Sequence, residues 1–437
     1  MHQKGSTSDQ CECSGGSGAR DVEAKSQTAP RFAAVVRRRA RTVRRRLLVL
    51  ALVCALQQFL PLRAVSSEMR SVRLSKDGQA FALDGQISPF VPWGFNYDHD
   101  EQGRLLEDYW EGEWAKVEED FREMKELGAN VVRIHLQFAR FMQKPDTPND
   151  AALDRLVRLT KLAERLNLYL DVTGLGCYHK KDVPVWYDEL SEKDRWDAQA
   201  RFWEVIAKRC AESPAIFCYD LMNEPVVPGG RRKSGEWLGP PFAGKYFVQF
   251  ITLDQADRPR PTIARQWIQH LAAAIRKHDT RHLITVGLVS WSLDRPGLTS
   301  GFVPEEIVGE LDFLSVHLYP EKSEVEKAIS TLKGFAIGKP VVIEEMFPLK
   351  CSVSELERFV DESRAVAAGW LGFYWGRTPD ECRQSKKLAD ALMLGWLELF
   401  QKGAKTSAFP GREEHQVFRF VTSVMYFRMN PLVEKPG

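Results

Sequence analysis

Between residues 72 and 400 the chain repeats one alternation: a short apolar run, then a longer amphipathic stretch. The apolar runs fall at 90–96, 130–136, 167–172, 215–222, 282–288, 311–319, 341–346 and 370–375. Runs of this length, bounded by Gly, Pro, Asp or Asn, read as buried strands. Between them, 113–127 sets Trp114, Val117, Phe121, Met124 and Leu127 close to a 3.6-residue period, and 151–165, 195–211, 262–278, 324–335, 354–368 and 385–401 behave alike. Ser352-Val353-Ser354-Glu355 adds a helix-start pattern. Eight strands alternating with helices predict an α/β protein, a (β/α)8 TIM barrel. An N-terminal β-hairpin, 72–74 with 80–83, precedes it and turns at Asp77-Gly78. The competing architecture is an open doubly wound sheet, but no Gly-rich phosphate loop follows the first strand as its nucleotide-binding version needs. No fixed-period repeat appears, and no linker-like stretch follows residue 70.

The formal net charge of +2 conceals a split. Residues 1–66 carry 12 Lys+Arg against 4 Asp+Glu, leaving 49 basic against 55 acidic residues in 67–437. The folded part therefore has no basic footprint for nucleic acid. Residues 1–30, rich in Gly, Ser and Gln, read as disordered. Arg37-Arg38-Arg39, Arg41 and Arg44-Arg45-Arg46 then precede the apolar run 47–56. A secretory signal has an apolar core of roughly 7–15 residues. A spanning helix needs about 20, and Gln57-Gln58 and Pro61 interrupt this run. The leader, 1–66, is therefore expected to be a signal peptide cut after Ser66, making the protein secreted or periplasmic. An uncleaved signal anchor is the alternative, and the only route to a membrane. The catalytic domain is expected over 67–403, and 404–437 as an extension docked on the barrel through the apolar run 418–427. Three of the eight cysteines fall in the leader, and the remaining five cannot all pair. Cys351 and Cys382, expected on loops after the last two strands, are the candidate disulfide.

Two strand-like runs end on a carboxylate. Residues 215–225 close on Asn223-Glu224-Pro225, and 340–346 close on Glu344-Glu345-Met346. Strand C-termini are where parallel barrels place reactive side chains. Two facing carboxyls there are the minimum equipment for hydrolysing a glycosidic bond. Neighbouring strand residues point to opposite faces. Only one of Glu344 and Glu345 is thus expected to reach the axis, the other facing helices or rim. His135 and His179 lack partners at metal-ligand spacing and read as lining groups, with no metal and no cofactor expected.

These runs resemble glycoside hydrolase family 5, the cellulase and mannanase family of retaining barrel glycosidases. Asn223-Glu224-Pro225 is similar to the end of its fourth strand, and 339–345 to its seventh. Arg133 in Asn130-Val131-Val132-Arg133-Ile134 matches its second, His317 and Tyr319 the His-x-Tyr of its sixth, Trp375 the tryptophan of its eighth, and Phe95-Asn96-Tyr97 its first. The resemblance spans roughly 72–400. It implies Glu224 as acid/base and Glu345 as nucleophile, with carboxyls about 5–5.5 Å apart. It further implies that Arg133 and Tyr319 hold the nucleophile, Asn223 holds a sugar hydroxyl, His317 completes the polar floor, and Trp375 is a sugar platform. Trp110, Trp186, Trp237 and Trp291, near loops over the active face, are further platform candidates. The expected partner of this monomer is an oligo- or polysaccharide of the β-1,4-glucan or mannan type. Three departures stand out. His179 follows Asp171 from a longer run than the family's Asp-Leu-His, Met346-Phe347 replaces Phe-Gly, and 226–261 is a long insertion. The rival readings are a barrel that binds carbohydrate without turnover and a metal-dependent barrel hydrolase.

Overall fold

The computed structural model describes residues 69–295, 298–373 and 375–406. The leader and residues 407–437 lie outside the described residues, and with them the signal, anchor and docking expectations. Eight parallel strands close into a barrel: β1 (Trp93–Tyr97), β2 (Val131–Gln137), β3 (Tyr169–Gly176), β4 (Ile216–Asn223), β5 (Leu283–Val289), β6 (Leu314–His317), β7 (Val341–Met346) and β8 (Gly369–Gly372). Pairing of β8 with β1 and of β4 with β5 completes the ring. Helices α1 (Trp114–Glu126), α2 (Asp150–Leu166), α3 (Glu192–Cys210), α4 (Arg260–Arg276), α5 (Pro304–Ile307), α6 (Val325–Lys333), α7 (Val353–Ser363) and α8 (Leu388–Thr406) follow the strands in turn. The (β/α)8 architecture is as the sequence predicts.

Three local differences have physical causes. The run at 90–96 splits: Pro89–Phe90 pairs antiparallel with Phe81–Leu83, turning the expected hairpin into a three-stranded sheet with Val72–Leu74. Second, β3 runs on to Gly176, through Thr173-Gly174-Leu175. A Cβ on Gly174 would stand 2.4 Å from Trp203, and one on Gly176 2.5 Å from Gln137. Those glycines permit close packing within a strand and do not mark a loop. Third, in the β5–β6 connection, where no helical period is legible, the described residues form the one-turn α5 and the short 3-10 turns Ser290–Ser292 and Val308–Glu310.

Two apolar regions result. One lies between the barrel and its helices. The other fills the barrel's lower interior, where Val131, Tyr169, Phe217, Leu283, Phe313 and Val342 meet the N-terminal sheet. Phe81 plugs this end, edge-on to Phe217 and Phe313 at 5.1 Å each. The opposite end, at the strand C-termini, is left for polar chemistry. Cys351 and Cys382 are both free thiols, the second on the helix Pro379–Gln384, so the disulfide expectation fails. Among the described residues no helix is long and apolar enough to cross a membrane.

Candidate active site

Arg133 on β2 organises the site. Its guanidinium is fully buried, and its NH1 donates to Asn96 Oδ1 (2.9 Å) and Glu345 Oε1 (2.7 Å). NH2 donates to Asp220 Oδ2 (2.7 Å) and Asn223 Oδ1 (3.1 Å), with Glu344 Oε2 at 3.4 Å. Residues from β1, β4 and β7 thus converge on this one cation from β2. Tyr319, just after β6, donates to the other Glu345 oxygen at 2.6 Å. A glycine on β5 makes room, since a Cβ on Gly287 would stand 2.9 Å from Arg133 NH2 and 3.0 Å from His317 Nε2.

The expectation that Glu344 faces away from the axis is wrong. It is fully buried beside Arg133 and His317. The register explains this: Val316 pairs with Ile343, but His317 pairs with Glu345. One extra residue is accommodated in β7 at that point, and a bulge breaks strict alternation, turning neighbouring side chains inward. A second shift lies between Thr285 and Gly287, which pair with Asp220 and Asn223. Both polar residues of β4 thereby reach Arg133. At the end of β4, Glu224 adopts φ 47°. That left-handed conformation costs on the order of 1–3 kcal/mol for a residue with a side chain. Its N–H is held by Gly287 O at 2.9 Å, and its Oε1 meets His317 Nδ1 at 3.0 Å.

His317 therefore stands between carboxylates, Glu224 on Nδ1 and Glu344 on Nε2 (3.3 Å), with Glu345 Oε2 3.4 Å from Nδ1. Acceptors on both ring nitrogens require both to carry hydrogens. Burial opposes the charge, but Glu345 and the bonds to Glu224 and Glu344 outweigh burial and Arg133, pushing the imidazole up to about 10. Its stabilising contribution is therefore complete below about 6.5 and lost as pH rises through about 10. Glu344→Gln removes one carboxylate, so the His317 titration followed by NMR is expected at least about one pH unit lower. An unchanged midpoint would show that Glu344 does not hold the imidazolium.

Burial raises Glu345 above the usual carboxylate range, with His317 and then Arg133 pulling it back down. Glu344 is also penalised by burial, yet Arg133 and His317 hold it below that range. Asp171 on β3 meets Glu344 carboxyl to carboxyl, and neither Asp171 oxygen has a conventional donor. Burial and then the Glu344 charge hold Asp171 far above the carboxylate range. Burial beside an ionised Glu344 thus favours the protonated form of Asp171. Among the described residues, two triads have ligand-type atoms within 4.8 Å of one another, Glu224–His317–Glu345 and Asp171–Asp220–Glu344. In each, Arg133 or the His317 imidazolium already supplies the positive charge that a metal would bring.

A family model described as Cellulase (glycosyl hydrolase family 5) matches residues 92–376. The chain belongs to glycosyl hydrolase family 5. It is therefore a retaining β-glycosidase acting on carbohydrate. It is 24% identical over 319 residues to the Aspergillus terreus protein named "Probable mannan endo-1,4-beta-mannosidase A-1", covering 62% of this chain and 70% of that one. Two solved structures share the fold. The exo-beta-1,4-mannosidase Op5Man5 from Opitutaceae bacterium strain TAV5 superposes with TM-score 0.56 at 19% identity, over 77% of this chain and 62% of that longer one. The endo-1,4-beta-mannanase from Rhizomucor miehei superposes with TM-score 0.52 at 19% identity, over 76% and 99%.

Within this family 5 barrel, Arg133, Asn223, Glu224, His317, Tyr319 and Glu345 converge as the sequence predicts. His135 joins them as a neutral ring. Burial, then Arg133 and His317, hold it well below the usual histidine range. Its Nε2 faces Asn96 Oδ1 at 3.0 Å, so Nδ1 accepts from Tyr178 OH at 2.7 Å. His179 does not join them. It is half-buried beyond the end of β3, without a side-chain hydrogen bond among the described residues, and the preceding Tyr178 takes the inward position. Trp375 is not on the sugar-facing side either. It is 2% exposed, edge-on to Phe95 at 5.7 Å, and its indole N–H donates to Asp120 of α1, between barrel and helices. Phe373, two residues earlier and partly exposed, takes the inward aromatic position beside Tyr319. Trp110 and Trp237 are likewise buried in packing. Sequence reasoning passed over Asp171, Tyr178, Asp220 and Gly287 as site residues, and turned Glu344 away from the axis. For Asp171 a signal existed: a charged residue two before Thr173, amid apolar neighbours, is an inward position of a buried strand.

Proposed function

We propose that this glycosidase hydrolyses β-1,4-mannosidic bonds by double displacement, with Glu224 as acid/base and Glu345 as nucleophile. The observation that carries the reading is their proximity. An oxygen of each, with a His317 nitrogen, lies within 4.8 Å. Retaining pairs stand about 5–5.5 Å apart, whereas inverting pairs need about 6.5–9.5 Å to admit a water between them. In the first step Glu345 attacks the anomeric carbon and the glycosidic C–O bond breaks. Glu224 gives its proton to the departing oxygen. In the second, Glu224 takes a proton from water, whose oxygen attacks the same carbon and displaces Glu345. Arg133 and Tyr319 occupy one Glu345 oxygen each and orient the carboxylate. His317 occupies Glu224 Oε1, leaving Oε2 to carry the transferred proton.

Mannan is favoured over glucan by the similarity to the Aspergillus terreus mannosidase. The test is reducing-sugar release from β-mannan, β-1,4-glucan, β-1,3-glucan and xylan, with Glu345→Gln as the blank. Mannan is expected to turn over fastest, with the β-anomer appearing first by NMR. Faster turnover of another polymer would reject the mannan assignment, and an α-anomer as first product would reject the double displacement. Export through the leader fits a polymeric substrate, and cell fractionation tests it.

A further inference from the structure

The insertion after β4 is fastened across the barrel mouth. At β4, Asn223 Nδ2 donates to Phe247 O (3.2 Å) and Gln249 N–H to Glu224 O (3.4 Å). At the end of β3, Tyr246 N–H donates to Tyr178 O (3.0 Å) and Gln249 Nε2 to Leu175 O (2.8 Å). The tip is a tight hairpin. Phe242 and Lys245 exchange both backbone bonds, at 2.8 and 2.9 Å, around Ala243 and Gly244, both at positive φ.

Side chains carry this fastening across the mouth. Phe247 lies edge-on to Tyr178 at 4.9 Å and edge-on to Phe373 at 6.4 Å. Phe373 directly follows β8, and in a ring of eight strands β4 and β8 face one another across the axis. The two rings therefore meet over the mouth. Phe373 also meets Tyr319 at 6.5 Å and His99 at 6.4 Å. Lys245 extends the same cover towards the loop after β1, its ammonium 3.5 Å from where a Cβ on Gly103 would stand. The insertion thus roofs the mouth from the ends of β3 and β4 towards the residues that follow β8 and β1.

We propose that the site is open at one end only, so that the enzyme removes the terminal sugar from the non-reducing end of its substrate. A chain can be cut internally only where it can leave the site in both directions. The inference rests on the roles given to Glu224 and Glu345, which decide which end is closed. Glu224 must stand at the departing oxygen, and its side chain is 19% exposed against 8% for Glu345. The leaving group therefore faces the opening, and the sugar to be released lies under the roof. Lys245 equips that end. The residue is 6% exposed, and its ammonium has no hydrogen bond or ion pair among the described residues. Its three donors suit hydroxyls on the far side of the terminal ring from the scissile bond.

The experiment follows early products from mannohexaose labelled at its reducing end, alongside the viscosity of β-mannan. Mannose is expected as the sole early small product, with labelled pentaose beside it and viscosity lagging behind reducing-sugar release. Lys245→Met is expected to lower kcat/KM on the hexaose by about ten- to a hundredfold, from the loss of charged hydrogen bonds in a buried site. Its melting curve should remain that of the parent. Mixed early oligosaccharides with a rapid fall in viscosity would overturn the one-ended site while leaving the glycosidase reading intact, provided Glu345→Gln abolishes release. No release from any substrate overturns both. An unaltered kcat/KM in Lys245→Met removes the lysine from the terminal-sugar contact.

Discussion

Replacing Glu345 by Gln is expected to lower kcat on β-mannan by about 10⁴-fold or more, with the fold intact. Gln keeps the size and one oxygen for Tyr319 or Arg133, but it cannot form the covalent ester. Glu224→Gln separates the two roles. Its deficit should be as large on mannan, whose departing oxygen needs a proton. It should be small in the first step with an aryl mannoside, whose phenolate leaves unaided. Glycosyl-enzyme should then accumulate for want of a base, visible by intact mass. Azide needs no base to attack, and should restore turnover of Glu224→Gln while yielding the β-mannosyl azide. The same azide should leave Glu345→Gln with at most an α-product. Equal behaviour of the two variants across both substrates would remove the assignment of separate roles.

What could be read beforehand followed the strength of each physical signal. The eight strands were legible because strands buried on both faces must be nearly uniformly apolar. Glu224 and Glu345 were legible because a carboxylate closing such a run has only the barrel rim to occupy. Which way a side chain turns at that rim was less legible. Strict alternation wrongly turned Glu344 outward, because the shift beside His317 is set by how β6 and β7 pair and leaves no mark in either strand alone. Trp375 failed for a related reason. Three residues past β8 the chain has left the strand, and the indole finds Asp120 and Phe95 on the helix side. Tyr178 took the place offered to His179 because β3 continues through two glycines, past the end of the apolar run at 167–172. Family motifs located the two carboxyls at the barrel rim, while bulges and glycine contacts decided which neighbours surround them.

Arg133 should be the residue whose loss costs the fold most. Asp220, Glu344 and Glu345 all lie within 3.4 Å of its two terminal nitrogens. Arg133→Met leaves those carboxyls buried without their cation, and is expected to destabilise by about 3–5 kcal/mol near neutral pH. The pH dependence gives the cause. Arg133 lowers Asp171, Asp220, Glu344 and Glu345, so without it their folded values move up. Carboxyls raised above their unfolded values are most stabilising when protonated and lose that contribution as pH rises through the folded value. The deficit of the variant should therefore widen from pH 5 to pH 8, measured by urea unfolding against the parent at each pH. A deficit that is constant, or larger at pH 5, would mean that packing and not charge makes Arg133 indispensable. Arg133→Lys supplies the charge without the fork. One ammonium cannot serve Asn96 and Glu345 on one side and Asp220 and Asn223 on the other, so much of the stability should return while kcat stays low. A lysine variant with restored turnover would show that the site needs only a positive charge at this position and not the guanidinium's geometry.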